Sequence, residues 1–523
     1  MNVIVKNISL PYRESSDKAI YKAKVRLKKI GITAKECSIY RRSVDARRKN
    51  NILFVYSVLC KCDCKSAERL SEIDAVVEAA GSVDICFGSE RLQNRPIVCG
   101  FGPCGMFSAL LLAENGYMPI VIERGSDVFE RKKEVEKFYK TGILNPESNI
   151  QFGAGGAGTF SDGKLITRIN DSRQRYVLTR LCEFGAPSDI LIKAKPHIGT
   201  DKLLFICDNI ARRITMLGGE ILYNTKLREI KKSGEKVVCV VTDRGEIPCG
   251  CLVLATGHSA RDTYSYLQKS GYMLEPKPFS VGVRIEHLRE DIDKAMYGDC
   301  AGDPILGPAE YSLSKRVGDR GVYSFCMCPG GTVVAAAGEE NAVVTNGMSE
   351  YARNGVNSNS AIAVSVTSDN PMEFQRMLER NAFRLGGGGY TAPCITLGDF
   401  MNDRCKNEPK RVLPTYMNGN TRVADLQSGL PKDITEMLKT GISSFGRALK
   451  GFDSPDSVLT GFETRTSAPF RIMRNENMTA IDNDNLYPAG EGAGYAGGIT
   501  SAALDGVKVA LKIMERYRSY SEK

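Results

Sequence analysis

Gly100, Gly102 and Gly105 stand as Gly-x-Gly-x-x-Gly directly after the apolar run Ile97, Val98, Cys99. That spacing suits a pyrophosphate. Gly100 permits a tight turn, Gly102 lets phosphates approach the backbone, and Gly105 lets the next helix pack closely on the strand. Pro103 and Cys104 open that helix, whose first N–H groups and partial positive charge face the anion. A second apolar run, residues 119–122, ends on Glu123, 18 residues after Gly105, where a carboxylate can accept from ribose hydroxyls. Strand, helix, strand and acid in register define a dinucleotide site.

Which dinucleotide is decided downstream. Residues 486–506, LYPAGEGAGYAGGITSAALDG, bring Gly490, Glu491, Gly497, Gly498 and Ile499 to the start of a C-terminal helix that runs to about Tyr517. Flavoproteins with two dinucleotide-binding domains end in a similar way, with this helix aimed at the flavin. Residues 252–257, LVLATG, place Ala255, Thr256 and Gly257 beside the adenine half, with Leu227 nearby in the β-rich stretch 218–257. Residues 148–165, SNIQFGAGGAGTFSDGKL, form a glycine-rich loop whose N–H groups can reach a cofactor. Gly155, Gly156, Gly158, Thr159, Ser161, Gly163 and Lys164 are its candidate contacts, with Arg124 and Arg131 upstream. Segments converging on one ligand identify FAD rather than NAD.

The candidate catalytic groups are few. The three histidines are His197, His258 and His287, and His258 leads because it follows the Ala-Thr-Gly turn; Ser259, Arg261 and Asp262 could equally satisfy it structurally. Arg284, Arg465 and Arg471 could each hold an anionic substrate by bidentate pairing, or pair with Glu286 or Glu463. Cys326 and Cys328 in FCMCPGG allow thiol redox chemistry, pocket lining or plain strand packing. Cys104, at a helix start, is read as a small packing residue or a thiol of lowered pKa. Cys60, Cys62 and Cys64 alternate as CxCxC, which suits a strand end better than an iron–sulfur site. No metal site is expected.

The elements that position these groups need a large chain. Its 523 residues have room for two to four domains, and no apolar run approaches the 18 residues of a membrane span. Seventeen scattered cysteines and an N-terminus without a secretory signal pattern point to a cytoplasmic thiol protein. Residues 1–95 carry 19 Lys and Arg against 11 Asp and Glu, most of the net charge of +10. This part reads as strand (3–10), helix (16–30), strands (37–44 and 52–60), helix (67–80) and strand (82–86), a ferredoxin-like βαββαβ order. Arg41, Arg42, Arg47, Arg48 and Lys49 cluster at its hairpin, read as a solvated turn docking on an acidic neighbour or as a nucleic-acid contact. From Phe279 onward, FSVGVRIEH, GVYSFCMCPGGTVVAAA and AIAVSVTS are strand candidates, with helices near 371–384 and 432–448. Gly386 to Gly389 read as a helix C-cap and loop. The fold class is therefore α/β. A ferredoxin-like domain (1–90) precedes a discontinuous Rossmann-like FAD domain (95–278 and 478–523) with an inserted α+β substrate domain (279–477).

With these motifs in place, the chain resembles a bacterial family of FAD-dependent dehydrogenases or "FAD-dependent proteins" within the glutathione-reductase-like superfamily. SVDARRK (43–49), CGFGPCGMFSALLLAENG (99–116), VIERG (121–125), NIQFGAGGAGTFSDGKL (149–165), KPHIGTD (195–201), ATGHSARDT (255–263), KPFSVGVRIEH (277–287), GVYSFCMCPGG (321–331), GFETRTSAP (461–469) and YPAGEGAGYAGGITSAALDG (487–506) carry the likeness. Cys104 and Met106 stand where Ala and Leu are the family's usual residues. The resemblance implies a tightly bound FAD and delivers no substrate. The leading expectation is a cytoplasmic FAD-dependent oxidoreductase acting on a small organic molecule, with the flavin carrying the hydride. No second strand–GxGxxG–helix unit appears, so electrons come from the substrate, a protein partner or transiently bound NAD(P)H. A flavin monooxygenase, an RNA-modifying flavoprotein using the basic N-terminal domain and a non-catalytic flavin sensor or scaffold are the alternatives.

Overall fold

A computed structural model describes residues 1–63, 67–79, 81–167 and 169–519; Cys64 of the CxCxC run lies outside them. Its central element is a five-stranded parallel sheet in the order Leu486–Pro488, Leu252–Leu254, Ile97–Cys99, Ile120–Ile122, Glu220–Leu222. The central strands read as unbroken apolar triplets because helices and loops cover both faces. Helix Pro103–Glu114 buries every residue from Cys104 to Ala113, and a helix apolar all round belongs in the interior. It packs on helices Thr200–Met216 and Ile499–Arg516. The latter contact is unusually close: a Cβ on Gly506 would stand 2.1 Å from the Cys104 carbonyl oxygen.

Strands Leu252–Leu254 and Leu486–Pro488 are hydrogen-bonded neighbours, yet more than two hundred residues separate them. That excursion builds a seven-stranded sheet in the order Ser314–Val317, Arg320–Cys328, Asn357–Val366, Phe279–Leu288, Val458–Glu463, Ala392–Thr396, Thr421–Val423. Helices Pro371–Gly386 and Lys432–Ala448 pack against it, the first ending on Gly387 in a left-handed conformation (φ +88°). Phe279–Leu288 is buried on both faces, so charged residues in it must find internal partners.

The N-terminal residues form an antiparallel sheet in the order Ala34–Asp45, Leu53–Cys62, Asn2–Pro11, Ala75–Val77, with helix Asp17–Lys29 against it. The expected second helix is not there. The described part of 67–80 holds only a 3-10 turn, Leu70–Ile73, and then the strand Ala75–Val77 beside Val3 to Val5. Val76 and Val77 are β-branched and suit an edge strand better than a helix. Residues 82–86, expected as the last strand, are irregular. The apolar core of this sheet is continuous with that of the seven-stranded sheet. Its edge is also tied down: the Arg42 N–H donates to Ile192 O (2.7 Å), and Ala194 N–H donates to Arg42 O (2.8 Å). Within the basic hairpin Arg47 pairs with Asp45, and Arg42 lies over the Phe54 ring. Among the described residues no helix is long and apolar enough to cross a membrane.

Candidate functional site

The strand ends at Cys99 and Ile122, and Ala255 directly after strand Leu252–Leu254, line one continuous cavity, the position where open parallel sheets take ligands. Around its first turn it is lined by Gly100, Gly102, Pro103 and Cys104, with Ala255, Thr256 and Gly257 beside them. Glu123, Arg124, Thr225 and Leu227 line it toward the second strand. Gly156, Gly158, Ser161 and Lys164 come from the glycine-rich loop. Glu491, Gly497, Gly498 and Ile499 come from the C-terminal turn, and Phe325, Cys326, Asn346 and Arg465 from the inserted region.

Two long helices, Pro103–Glu114 and Ile499–Arg516, present their N-terminal residues to this cavity. Their free N–H groups and dipoles favour negative charge at two separate points. A Cβ on Gly257, Gly497 or Gly498 would meet nothing within 4 Å, so these backbones border open space. Glu123 accepts from the N–H groups of Phe101 (2.8 Å), Gly125 (3.0 Å) and Gly153 (3.0 Å). A carboxylate offers about four lone-pair sites, so one remains for a hydroxyl. Arg124 and Lys226 bind Asp262 and Glu147 at the rim, so Asp262 is not a partner of His258.

Several expected contacts lie elsewhere. Arg131 is fully buried behind the glycine loop and does not line the cavity. Its guanidinium donates to the carbonyls of Asn149, Ile150, Gly153, Ala154 and Gly156, so it shapes the loop and leaves the ligand to it. Gly105 packs on Gly100, where a Cβ would fall 1.9 Å from its carbonyl oxygen. Gly155, Thr159 and Gly163 face Cys207, helix Thr200–Met216 and the 198–199 backbone behind the loop. Gly490 donates its N–H to Asp505 (2.7 Å).

His287 is not at the site. It is buried against Phe452, whose carbonyl lies 2.7 Å from Nε2, because strand alternation turns it to the face opposite Arg284. His197 stacks on Tyr351. Arg284 lies one layer behind the cavity, bound to Glu463 (3.0 and 3.1 Å) and Asn359 (2.8 Å); its Nη2 donates to Cys326 O (2.7 Å) and reaches Cys328 Sγ (3.5 Å). It is a positioning residue. Glu286 instead accepts from Thr415 and Asn357. Arg471 is exposed and lies over Tyr495. Cys328 is fully buried, and of the pair only Cys326 reaches the cavity. Burial pushes the Cys104 thiol well up, which makes it a packing residue.

His258, Glu491 and Arg465 do meet in the cavity. Burial, aided by Arg465 and Arg261, pushes the His258 imidazole down to about 4, so it is neutral at neutral pH. Its Nδ1 lies 3.6 Å from Glu491, whose carboxyl burial pushes up to about 7. Its Nε2 is buried without a partner. Arg465 spends Nε and Nη2 on Glu379 (3.1 and 3.0 Å), a carboxylate also clamped by Arg261 (2.7 and 2.9 Å), and leaves Nη1 buried and unpaired. Glu379, Asn346, Gln151 and Thr225 were missed in the sequence. None was named as a site residue: Gln151 lies inside the glycine-rich segment 148–165, Thr225 in the β-rich stretch 218–257 and Glu379 in the helix expected near 371–384, while Asn346 falls between the segments singled out.

Residues 278–466 match the family model described as "FAD-dependent protein, C-terminal domain-like", and residues 3–61 match a domain of unknown function. An uncharacterised protein of Clostridium beijerinckii (strain ATCC 51743 / NCIMB 8052) is 46% identical over 99% of both chains. Among solved structures, the flavin-dependent brominase Bmp2 is 14% identical with a TM-score of 0.37, covering 82% of this chain and 81% of that one. Glycine oxidase from Bacillus cereus ATCC 14579 is 10% identical with a TM-score of 0.33, covering 82% and 96%. These scores are below 0.5 and lend no weight to function. The cofactor is FAD. The cavity fits it: two helix N-termini, glycines that leave the space open, and an acid at the ribose position.

Proposed function

From the premise that the chain belongs to one family with the Clostridium beijerinckii protein, we propose that it is an FAD-dependent oxidoreductase whose small organic substrate carries an anionic group. One observation carries this reading: a buried, unpaired guanidinium nitrogen, Arg465 Nη1, stands on a residue lining the FAD cavity. A buried donor without a partner costs about 1–3 kcal/mol, more when charged, and a bound carboxylate or phosphate would recover it. When bound, FAD supplies a two-electron acceptor for the substrate's hydride.

The side chains have separable tasks. Glu379 fixes the Arg465 guanidinium through two of its nitrogens, so Nη1 is aimed before substrate arrives and orientation costs little. Neutral His258 can take a proton at Nε2, and the imidazolium so formed would lie beside Glu491. The test is anaerobic bleaching of the flavin's visible absorbance by a panel of carboxylates and phosphate esters, each paired with its neutral amide or alcohol. A hit should reduce the flavin with the anion at least tenfold faster than with its neutral mate, and Arg465→Gln should erase the difference. Reduction by neutral compounds alone would overturn the anionic-substrate reading.

A further inference from the structure

The strand Arg320–Cys328 breaks its register between Phe325 and Cys328, and Cys326 at the break has a left-handed backbone (φ +46°). A non-glycine residue in that region is strained and is held there by its surroundings. In a regular strand, residues i and i+2 share a face with a rise of about 6.6 Å between them, at the edge of what a disulfide spans. At this bulge the Cys328 thiol folds back on Cys326, its sulfur 3.3 Å from the Cys326 carbonyl oxygen. Arg284 clamps that carbonyl and reaches the Cys328 sulfur, and Lys164 Nζ donates to the carbonyl of Met327 between them. Two cations thus fix the backbone of one three-residue turn whose first sulfur belongs to a cavity-lining residue.

We propose that Cys326 and Cys328 form a second two-electron centre of the cavity, a dithiol–disulfide couple in exchange with the bound FAD. The proposal rests on FAD occupying this cavity. The geometry divides the labour. Cys326 is the exchanging sulfur because its residue reaches the cavity, whereas Cys328 is sealed behind it and resolves the exchange. The polarity agrees: the hydrogen bond from Cys328, with help from Arg284 and Lys164 and against burial, brings the Cys326 thiol down to about 6, while burial drives that of Cys328 up. The balance closes within the protein. Two S–H bonds break and one S–S bond forms, releasing two electrons and two protons; oxidised FAD takes up the pair of electrons with protons, and the reverse step returns them.

The experiment is an anaerobic dithionite titration of air-oxidised holoprotein, with alkylation and mass mapping of the Cys326–Cys328 peptide before and after. The wild type should consume about two equivalents per FAD, and the peptide should take no label before reduction and two after. Cys328→Ser should consume about one equivalent. One equivalent in the wild type, with both thiols open to alkylation in the oxidised protein, would overturn the couple. If the variant does not fold, the wild-type titration and labelling still decide. Protein that shows no flavin absorbance after reconstitution would sink the FAD assignment and the couple with it, an outcome distinct from one equivalent with flavin bound.

Discussion

Arg131→Met tests whether the glycine loop is held by one buried cation. The guanidinium is fully buried and donates to five carbonyls at 2.7–3.2 Å, with no carboxylate among its hydrogen-bond acceptors. Burial brings its pKa down only to about 10, so it stays charged at neutral pH. Gly153 O and Gly156 O also accept from the N–H groups of Gly156 and Thr159, so the substitution chiefly strands the carbonyls of Asn149, Ile150 and Ala154. At about 1–3 kcal/mol for each stranded group, less the desolvation cost that leaves with the charge, the net loss is about 3–5 kcal/mol. That is a large share of the roughly 5–15 kcal/mol available to a native domain. Urea unfolding should show the midpoint falling by about 1 M or more, and the protein should emerge from gel filtration depleted of FAD. Arg131→Lys should fall between, since one ammonium with three donors cannot span all five acceptors. A methionine variant within about 0.5 kcal/mol of the wild type, with full flavin content, would refute the reasoning.

Gly102→Val should abolish FAD binding without unfolding the chain. Its Cβ has room, 3.7 Å from Gly156 Cα, but the added methyls would enter the pyrophosphate's position; a yellow Gly102→Val protein would place the cofactor elsewhere. Acid should loosen the contact between the glycine loop and the inserted region. Burial opposes ionisation of Asp162, but Lys164 and Arg353 bring its carboxyl down to about 2 from an unfolded value near 3.8. Stability from this group is therefore complete above about pH 4 and lost as pH falls toward 2, about 2.5 kcal/mol in all. Asp162→Asn should flatten that limb of the pH–stability curve, and an unchanged slope would contradict the assignment.

The first nucleotide motif was legible because its chemistry is local. A turn, a helix start and an acid at fixed spacing need no distant partner, and Gly100, Gly102 and Glu123 line the cavity as their spacing implied. The helix start at Ile499 was equally plain, following a glycine run. Arg131 was misread because nothing in its own segment reveals five carbonyls some twenty residues away. His287 was misread for a different reason. It shares a strand with Arg284, but odd and even positions face opposite sides, and in a strand buried on both faces the sequence does not say which side meets the cavity. The N-terminal helix expected over 67–80 failed where β-branched valines met an open sheet edge. Glu379 was invisible, since a lone glutamate in an amphipathic helix is ordinarily a solvated one.

The salt-bridged knot of Arg261, Glu379 and Arg465 also constrains how this lineage can change. The three residues come from the helix after the Ala-Thr-Gly turn, from helix Pro371–Gly386 and from the chain leaving strand Val458–Glu463. Losing Glu379 would strand the Arg465 guanidinium and leave Arg261 only Glu339 and Gln375, and losing either arginine would shift the carboxylate that aims the other, at about 3–5 kcal/mol for the Arg465 pair. No single substitution passes through that barrier cheaply. Descendants should therefore keep all three or replace them together, and, under the anionic-substrate reading proposed above, a copy recruited to a neutral substrate must first dissolve the knot. Selectivity for charge would then be inherited as a block, slow to drift even where the surrounding pocket varies freely.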